Sequence, residues 1–94
     1  MTEKKTKTID VGVFVYDLVE YEKDDTHATI LIHYGTLTYA RTVSMNGLGE
    51  EGMAFVVQEI VGLPDSTQID LREIFDTYDI FDCRVWVGTA TFEL

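Results

Sequence analysis

ATILIHYGTLTYARTVSM, running from Ala28 to Met45, is the stretch whose reading decides the fold. Its second half alternates strictly. Leu37, Tyr39, Arg41, Val43 and Met45 fall on one face, and Thr36, Thr38, Ala40, Thr42 and Ser44 on the other. A period of two with β-branched threonine and valine specifies a strand. The first half places Ala28, Ile30, Ile32 and Tyr34 together, but Leu31 makes its other face apolar as well, which predicts tighter burial. Tyr34-Gly35-Thr36 turns the chain between the halves, with Gly35 supplying backbone angles that a Cβ resists. The stretch is therefore read as a β-hairpin.

Working outward, Ile9 to Tyr16 is a strand apolar on both faces, with Ile9, Val11, Val13 and Val15 opposite Phe14 and Tyr16. Such a strand belongs in the middle of a sheet. Gly12 marks a bulge or close packing by an aromatic neighbour. Leu18, Val19 and Tyr21 extend the strand past Asp17 toward an acidic tip, Glu20 to Thr26. Residues 1–8 carry three lysines and one glutamate and are assigned as a flexible basic tail. Residues 9–94 form a single compact acidic domain.

Beyond Met45, Asn46 to Gly52 must turn, because Asn-Gly and repeated glycine favour positive φ. It is no phosphate loop: the lysine and hydroxyl are absent and Glu50 and Glu51 repel phosphate. Met53 to Val61 reads as a helix with Met53, Val56, Val57 and Ile60 inward, Phe55 outward, and Gly62 and Pro64 as its stop. A second helix is expected from Asp70, since Leu71, Ile74, Phe75 and Tyr78 have the spacing of one buried stripe. Asp70, Glu73, Asp76 and Asp79 recur every third residue and largely avoid that stripe. Cys83 to Leu94 returns to alternation and reads as the last strand.

These elements give an α+β fold of order β-β-β-α-α-β, a mainly antiparallel sheet covered by one or two helices. A small all-β barrel is the alternative, reached if Met53 to Val61 is a strand. A chain of 94 residues has one modest core and gains from association. The 46% hydrophobic content, arranged in patterned runs, excludes a disordered acidic chain.

No complete catalytic motif is present, so function is argued from charge. Seventeen acidic residues oppose seven basic ones, a formal net charge of -10. That field repels nucleic acid and anionic membranes and attracts cationic partners. The apolar stretches are too short to span a membrane, and Asp10 and Gly12 interrupt any signal-peptide core. The lone Cys83 fits a reducing compartment, and a cytoplasmic location is expected. It lacks a neighbouring histidine to activate it as a nucleophile. His27 and His33, the only histidines, lack the spacing of a metal site, and the acids after Asp76 lack the EF-hand pattern. Neither cofactor nor metal is expected, and an enzyme is not.

The expectation is a small acidic inhibitor or modulator of a basic, nucleic-acid-binding protein, with carboxylates standing in for phosphates. The alternative is a structural protein or homo-oligomeric subunit, with a homodimer the simplest form. The candidate contact residues are Glu20, Glu22, Asp24 and Asp25 at the tip, Asp70, Glu73, Asp76 and Asp79 in the expected second helix, and Phe55.

Overall fold

The computed structural model describes residues 5–22, 25–75 and 84–94. Its elements are β1 (Thr6–Glu22), β2 (Asp25–Tyr34), β3 (Leu37–Ser44), α1 (Glu50–Val61), β4 (Gln68–Phe75) and β5 (Arg84–Glu93). They build an α+β fold with one five-stranded antiparallel sheet in the order β3-β2-β1-β5-β4. The sheet ends at two edge strands, so it is open and the barrel alternative does not hold.

β1 takes the central position that its two apolar faces predict. Val11 to Val15 pair with β2 on one side and β5 on the other. The strand begins at Thr6, three residues inside the stretch assigned to the tail, and pairs there with Glu93. Leu94 donates its backbone N–H to the Lys5 carbonyl at 2.9 Å, holding the two chain ends together. At about 3.3 Å per residue, seventeen residues nearly account for the 55 Å long axis of the molecule.

The hairpin of Ala28 to Met45 folds as expected. Gly35 has φ 60° and Thr36 is not left-handed, which is the φ pattern of a type II′ turn with glycine at its first central position. Tyr34 pairs with Leu37 across it. β1 shifts register against β2 twice, between Glu20 and Glu22 and at Asp17, φ 55°, where Tyr16 faces Thr29 but Val19 faces His27. One extra residue enters β1 there, and aspartate is among the few residues that tolerate the left-handed conformation. Gly12 instead serves close packing. A Cβ there would meet the Phe14 ring at 3.4 Å, and that ring stands edge-on to His33 with centroids 5.2 Å apart.

The helix starts at Glu50, one turn earlier than Met53, which places Glu50 and Glu51 in the first turn against the positive end of its dipole. Gly62 ends it at φ 77°, with the N–H groups of Gly62 and Leu63 both donating to the Gln58 carbonyl. Gln58 also donates its side-chain amide to the Pro64 carbonyl at 2.8 Å. Met53 and Val57 are fully buried against Val11, Val13, Val15, Ile30, Ile32, Leu71, Trp86 and Ala90. Each strand contributes alternate residues to this core.

The second helix is a correction: residues 68–75 form β4, paired with β5 from Gln68↔Thr91 to Phe75↔Arg84. Ile69 packs on the core and Leu71 is buried, whereas Gln68, Asp70 and Arg72 are exposed, a period of two. The helical stripe through Leu71, Ile74 and Phe75 competes with this alternation. Pairing with β5 satisfies the backbone of 68–75 and wins. Tyr78 lies outside the described residues.

The sheet face opposite α1 has no described element over it. Register aligns Ala40, Leu31, Phe14 and Val85 in one row across β3, β2, β1 and β5. Thr38, His33, Gly12, Val87 and Arg72 form the row on one side, and Thr42, Thr29 and Tyr16 the row on the other. Val87 is 43% exposed, and Leu31, Phe14 and Val85 are half-buried.

At Gly88 the β4 backbone leaves no room for a side chain on β5. A Cβ there would collide with the Asp70 carbonyl and the Leu71 Cα, both backbone atoms that cannot rotate away. Gly88→Ala is expected to cost about 3 kcal/mol or more. Trp86, the only tryptophan and 3% exposed, reports this in urea unfolding followed by fluorescence. A midpoint equal to that of the wild type would show that the strands separate there without penalty.

Candidate functional site

Phe55 emerges from the middle of α1 on the side away from Met53 and Val57 and is 64% exposed. Two open depressions flank it and share Phe55 and Gln58 in their walls. Toward the start of the helix, Glu50, Glu51 and Ala54 line one, closed below by Thr67 and Ile69 ahead of and within β4. Toward its end, Glu59, Gly62, Leu63 and Asp65 line the other. An aromatic ring thus lies among four carboxylates, and neither depression has a lysine or arginine in its wall. The Thr67 hydroxyl, beneath the first depression, is buried and has no hydrogen-bond partner among the described residues.

The local sequence explains the arrangement. The apolar residues needed by the core occupy one stripe of Glu50–Val61, leaving Glu51, Phe55 and Glu59 on the exposed side at intervals of four. The Gly62 cap then reverses the chain, and Pro64 and Asp65 return it to β4 beside the helix.

Phe55 is therefore placed as the sequence suggests, but its carboxylate neighbours are different ones. Glu50, Glu51, Glu59 and Asp65 were not among the expected contact residues; the four-residue interval from Glu51 through Phe55 to Glu59 is the signal that reveals them. Asp70 lies on β4 next to Ile69 and lines a neighbouring depression with Gln68, Thr89 and Thr91. Glu73 is also in β4. Positions three apart in a strand fall on opposite faces, so the every-third-residue acids do not form a helical row from Asp70. Asp24, Asp76 and Asp79 lie outside the described residues, as does Cys83.

Glu20 and Glu22 occupy the end of β1, where Glu20 pairs with Thr26 and Glu22 with Asp25. Asp10 and Asp70 share a row through Thr89, and Asp10 is about 40 Å along β1 from Glu22 at the usual strand rise. The hairpin tip and Asp70 are at opposite ends of the sheet. Asp25 itself is engaged: one of its oxygens accepts from the Ser44 hydroxyl at 3.0 Å and the Asn46 amide at 3.2 Å, with His27 Nδ1 3.6 Å away. Asn46 in turn accepts from the Thr26 N–H. This carboxylate fastens the start of β2 to the end of β3.

Among the described residues no group of three or more His, Cys, Asp or Glu is placed to hold a metal ion. Nor is any described helix long and apolar enough to cross a membrane. Burial, and then the neighbouring Tyr39, raise the Tyr34 phenol above its ordinary value, so it remains neutral near neutral pH. No protein-family model matches the chain, and no curated protein or solved structure gives a significant match.

The two kinds of residue separate in a stability measurement. Asp25→Ala is expected to lose about 1 kcal/mol by stranding its hydroxyl and amide partners. Phe55→Ala, at an exposed helical position, should stay within about 0.5 kcal/mol of wild type. Chemical denaturation of both variants checks this; a larger loss in Phe55→Ala would mean that the ring supports the fold.

Proposed function

We propose that this chain is a small acidic modulator that binds a basic protein, one that itself handles nucleic acid, and inhibits it by occupying its cationic surface. The observation that carries the reading is Phe55, a 64% exposed ring bordered by the Glu50, Glu51, Glu59 and Asp65 carboxylates. A net charge of -10 draws a cationic partner in over long range. Charge alone recruits basic proteins without discrimination, so a specific contact needs an apolar anchor within the charged surface. Phe55 supplies it. A partner that binds phosphates presents arginines and lysines with exposed aliphatic stems, and such a surface accommodates both an aromatic ring and carboxylates.

The mechanism is steric and electrostatic, with no bond made or broken. Carboxylates on the helix occupy positions that phosphates take when nucleic acid is bound, and the partner is held from its nucleic acid. The Glu20–Glu22 tip is a separate acidic region at a distance, available to a large partner but not needed by a small one.

Affinity capture from the native cellular background at moderate salt supplies the partner. Phe55→Ala is expected to weaken its binding by roughly tenfold or more and mainly to speed dissociation. The combined change of Glu50, Glu51 and Glu59 to Gln should slow association and flatten the salt dependence. Glu22→Gln with Asp24→Asn tests the tip while sparing the Asp25 hydrogen bonds. Excess DNA or RNA should displace the protein from its partner, while the protein alone binds neither. Binding that is indifferent to salt, or unchanged by both the Phe55 and the glutamate substitutions, would refute this assignment.

A further inference from the structure

We propose that two copies of this chain pair through the free edge of β3, strand to strand and antiparallel about Ala40, so that one sheet continues across both. Backbone direction is the first observation. Met45 donates its N–H to the Thr26 carbonyl at 2.7 Å, and β3 pairs with β2 from Leu37 to Ser44 without a register shift. Backbone groups alternate in direction along a strand, so the odd-numbered residues face β2. The N–H and C=O groups of Thr38, Ala40 and Thr42 therefore point off the edge of the sheet. Among the described residues no backbone group outside β3 meets them. Leu37 is 56% exposed, and Thr38, Ala40, Arg41 and Thr42 are exposed, so neither the helix nor a described loop covers this edge.

The order of side chains says what fits it. Outward from Ala40, Tyr39-Thr38-Leu37 runs one way and Arg41-Thr42-Val43 the other. Two antiparallel copies centred on Ala40 set Leu37 against Val43, Thr38 against Thr42 and Tyr39 against Arg41, with Ala40 facing Ala40 on the two-fold axis. Apolar meets apolar, threonine meets threonine, and a guanidinium meets an aromatic ring. The same register brings the outward groups of Thr38, Ala40 and Thr42 face to face, giving about six backbone hydrogen bonds, two for each facing pair. Neighbouring registers are worse. Centring on Arg41 opposes two guanidiniums, and centring on Tyr39 sets Leu37 against Arg41. A strand from another protein can match this edge's backbone, whereas a second copy matches its side chains as well.

Natural sheet edges avoid such pairing with proline, bulges or lysines. β3 has none of these, and Arg41 is its only charged residue on a chain of net charge -10. One strand edge is a small interface, so the dimer is weak and concentration-dependent. Copies of like charge repel, and added salt therefore strengthens the pair while weakening capture of a cationic protein. No residue of β3 lines the depressions beside Phe55.

Cysteine cross-linking of the full chain tests the register, in a Cys83→Ser background that removes the only native cysteine. Ala40→Cys should form a disulfide-linked dimer under mild oxidation, because facing residues of a hydrogen-bonded pair have Cα atoms about 5.5 Å apart. Thr38→Cys and Thr42→Cys should not cross-link alone, each lying about 13 Å from its own copy, yet the two should cross-link when mixed. Sedimentation velocity of the wild type in high salt should show monomer passing to dimer between micromolar and millimolar concentration. Ala40→Pro deletes an outward N–H and spares the β2 ladder; it should raise the dissociation constant roughly tenfold or more while circular dichroism stays unchanged. Phe55→Glu is expected to leave dimerisation as it is. A wild type that stays monomeric throughout, including one that instead accepts an extended peptide, overturns the proposal. So does equal cross-linking at all three positions, no cross-link at Ala40→Cys, or a dimer broken by Phe55→Glu. Capture of a basic partner is read separately, so failure of either reading leaves the other standing.

Discussion

Hydrogen bonding of Val11 to Val15 along both edges is the constraint on which the rest of this structure depends. Over those residues β1 joins β2 and β5 into one sheet, and outside them it serves one partner at a time. Among the described residues its first residues pair only with β5 and its last only with β2. The sheet is consequently offset, with the end of β1 running past the described part of β5 beside β2 and β3. Val11, Val13 and Val15 are also the floor on which the helix rests, each at most 1% exposed. Sheet connectivity and core packing thus meet in one short segment. Neither end of the sheet holds together without it.

How much of this was legible follows from where the backbone pairs. The hairpin around Gly35 declares itself because strict alternation and a tight glycine turn act within eighteen residues. The central place of β1 is visible because both of its faces are apolar, and the helix because Gly62 and Pro64 end it. β4 is not. Leu71, Ile74 and Phe75 suit a helix locally, and what makes them a strand is β5, whose partners lie 9 to 17 residues further along. A long-range ladder decides the conformation of a segment whose local pattern permits two. The same ambiguity covers the candidate site. Acids at intervals of three form a surface row only on a helix, while Glu51 and Glu59, at the true helical interval from Phe55, are by type no different from any solvated glutamate.

Asp25 illustrates a different reason. A carboxylate in an acidic tip reads as a contact residue, yet here it holds Ser44 and Asn46 across the hairpin. Both donors are about twenty residues away, so nothing local in Asp24-Asp25 distinguishes a structural acid from a solvated one. The bulge at Asp17 is equally silent, since a polar residue between apolar ones fits ordinary alternation. In each case side-chain chemistry sets what a residue can do, and tertiary placement selects among the options.

One helix on a five-stranded sheet also imposes a division of labour on the surface. Among the described residues no element covers the sheet face opposite α1. Its threonines and half-buried apolar residues lower the cost of exposure. Carboxylates are distributed on the outer side of the helix, toward the end of β1 and, at Asp10 and Asp70, on the open face itself in the row beside Gly12, Val87 and Arg72. Mutual repulsion among these carboxylates is strongest at low ionic strength and fades as salt screens it. Under the proposed function the group that matters is the one beside Phe55, Glu50, Glu51, Glu59 and Asp65, which the helix holds on the side away from the open sheet face.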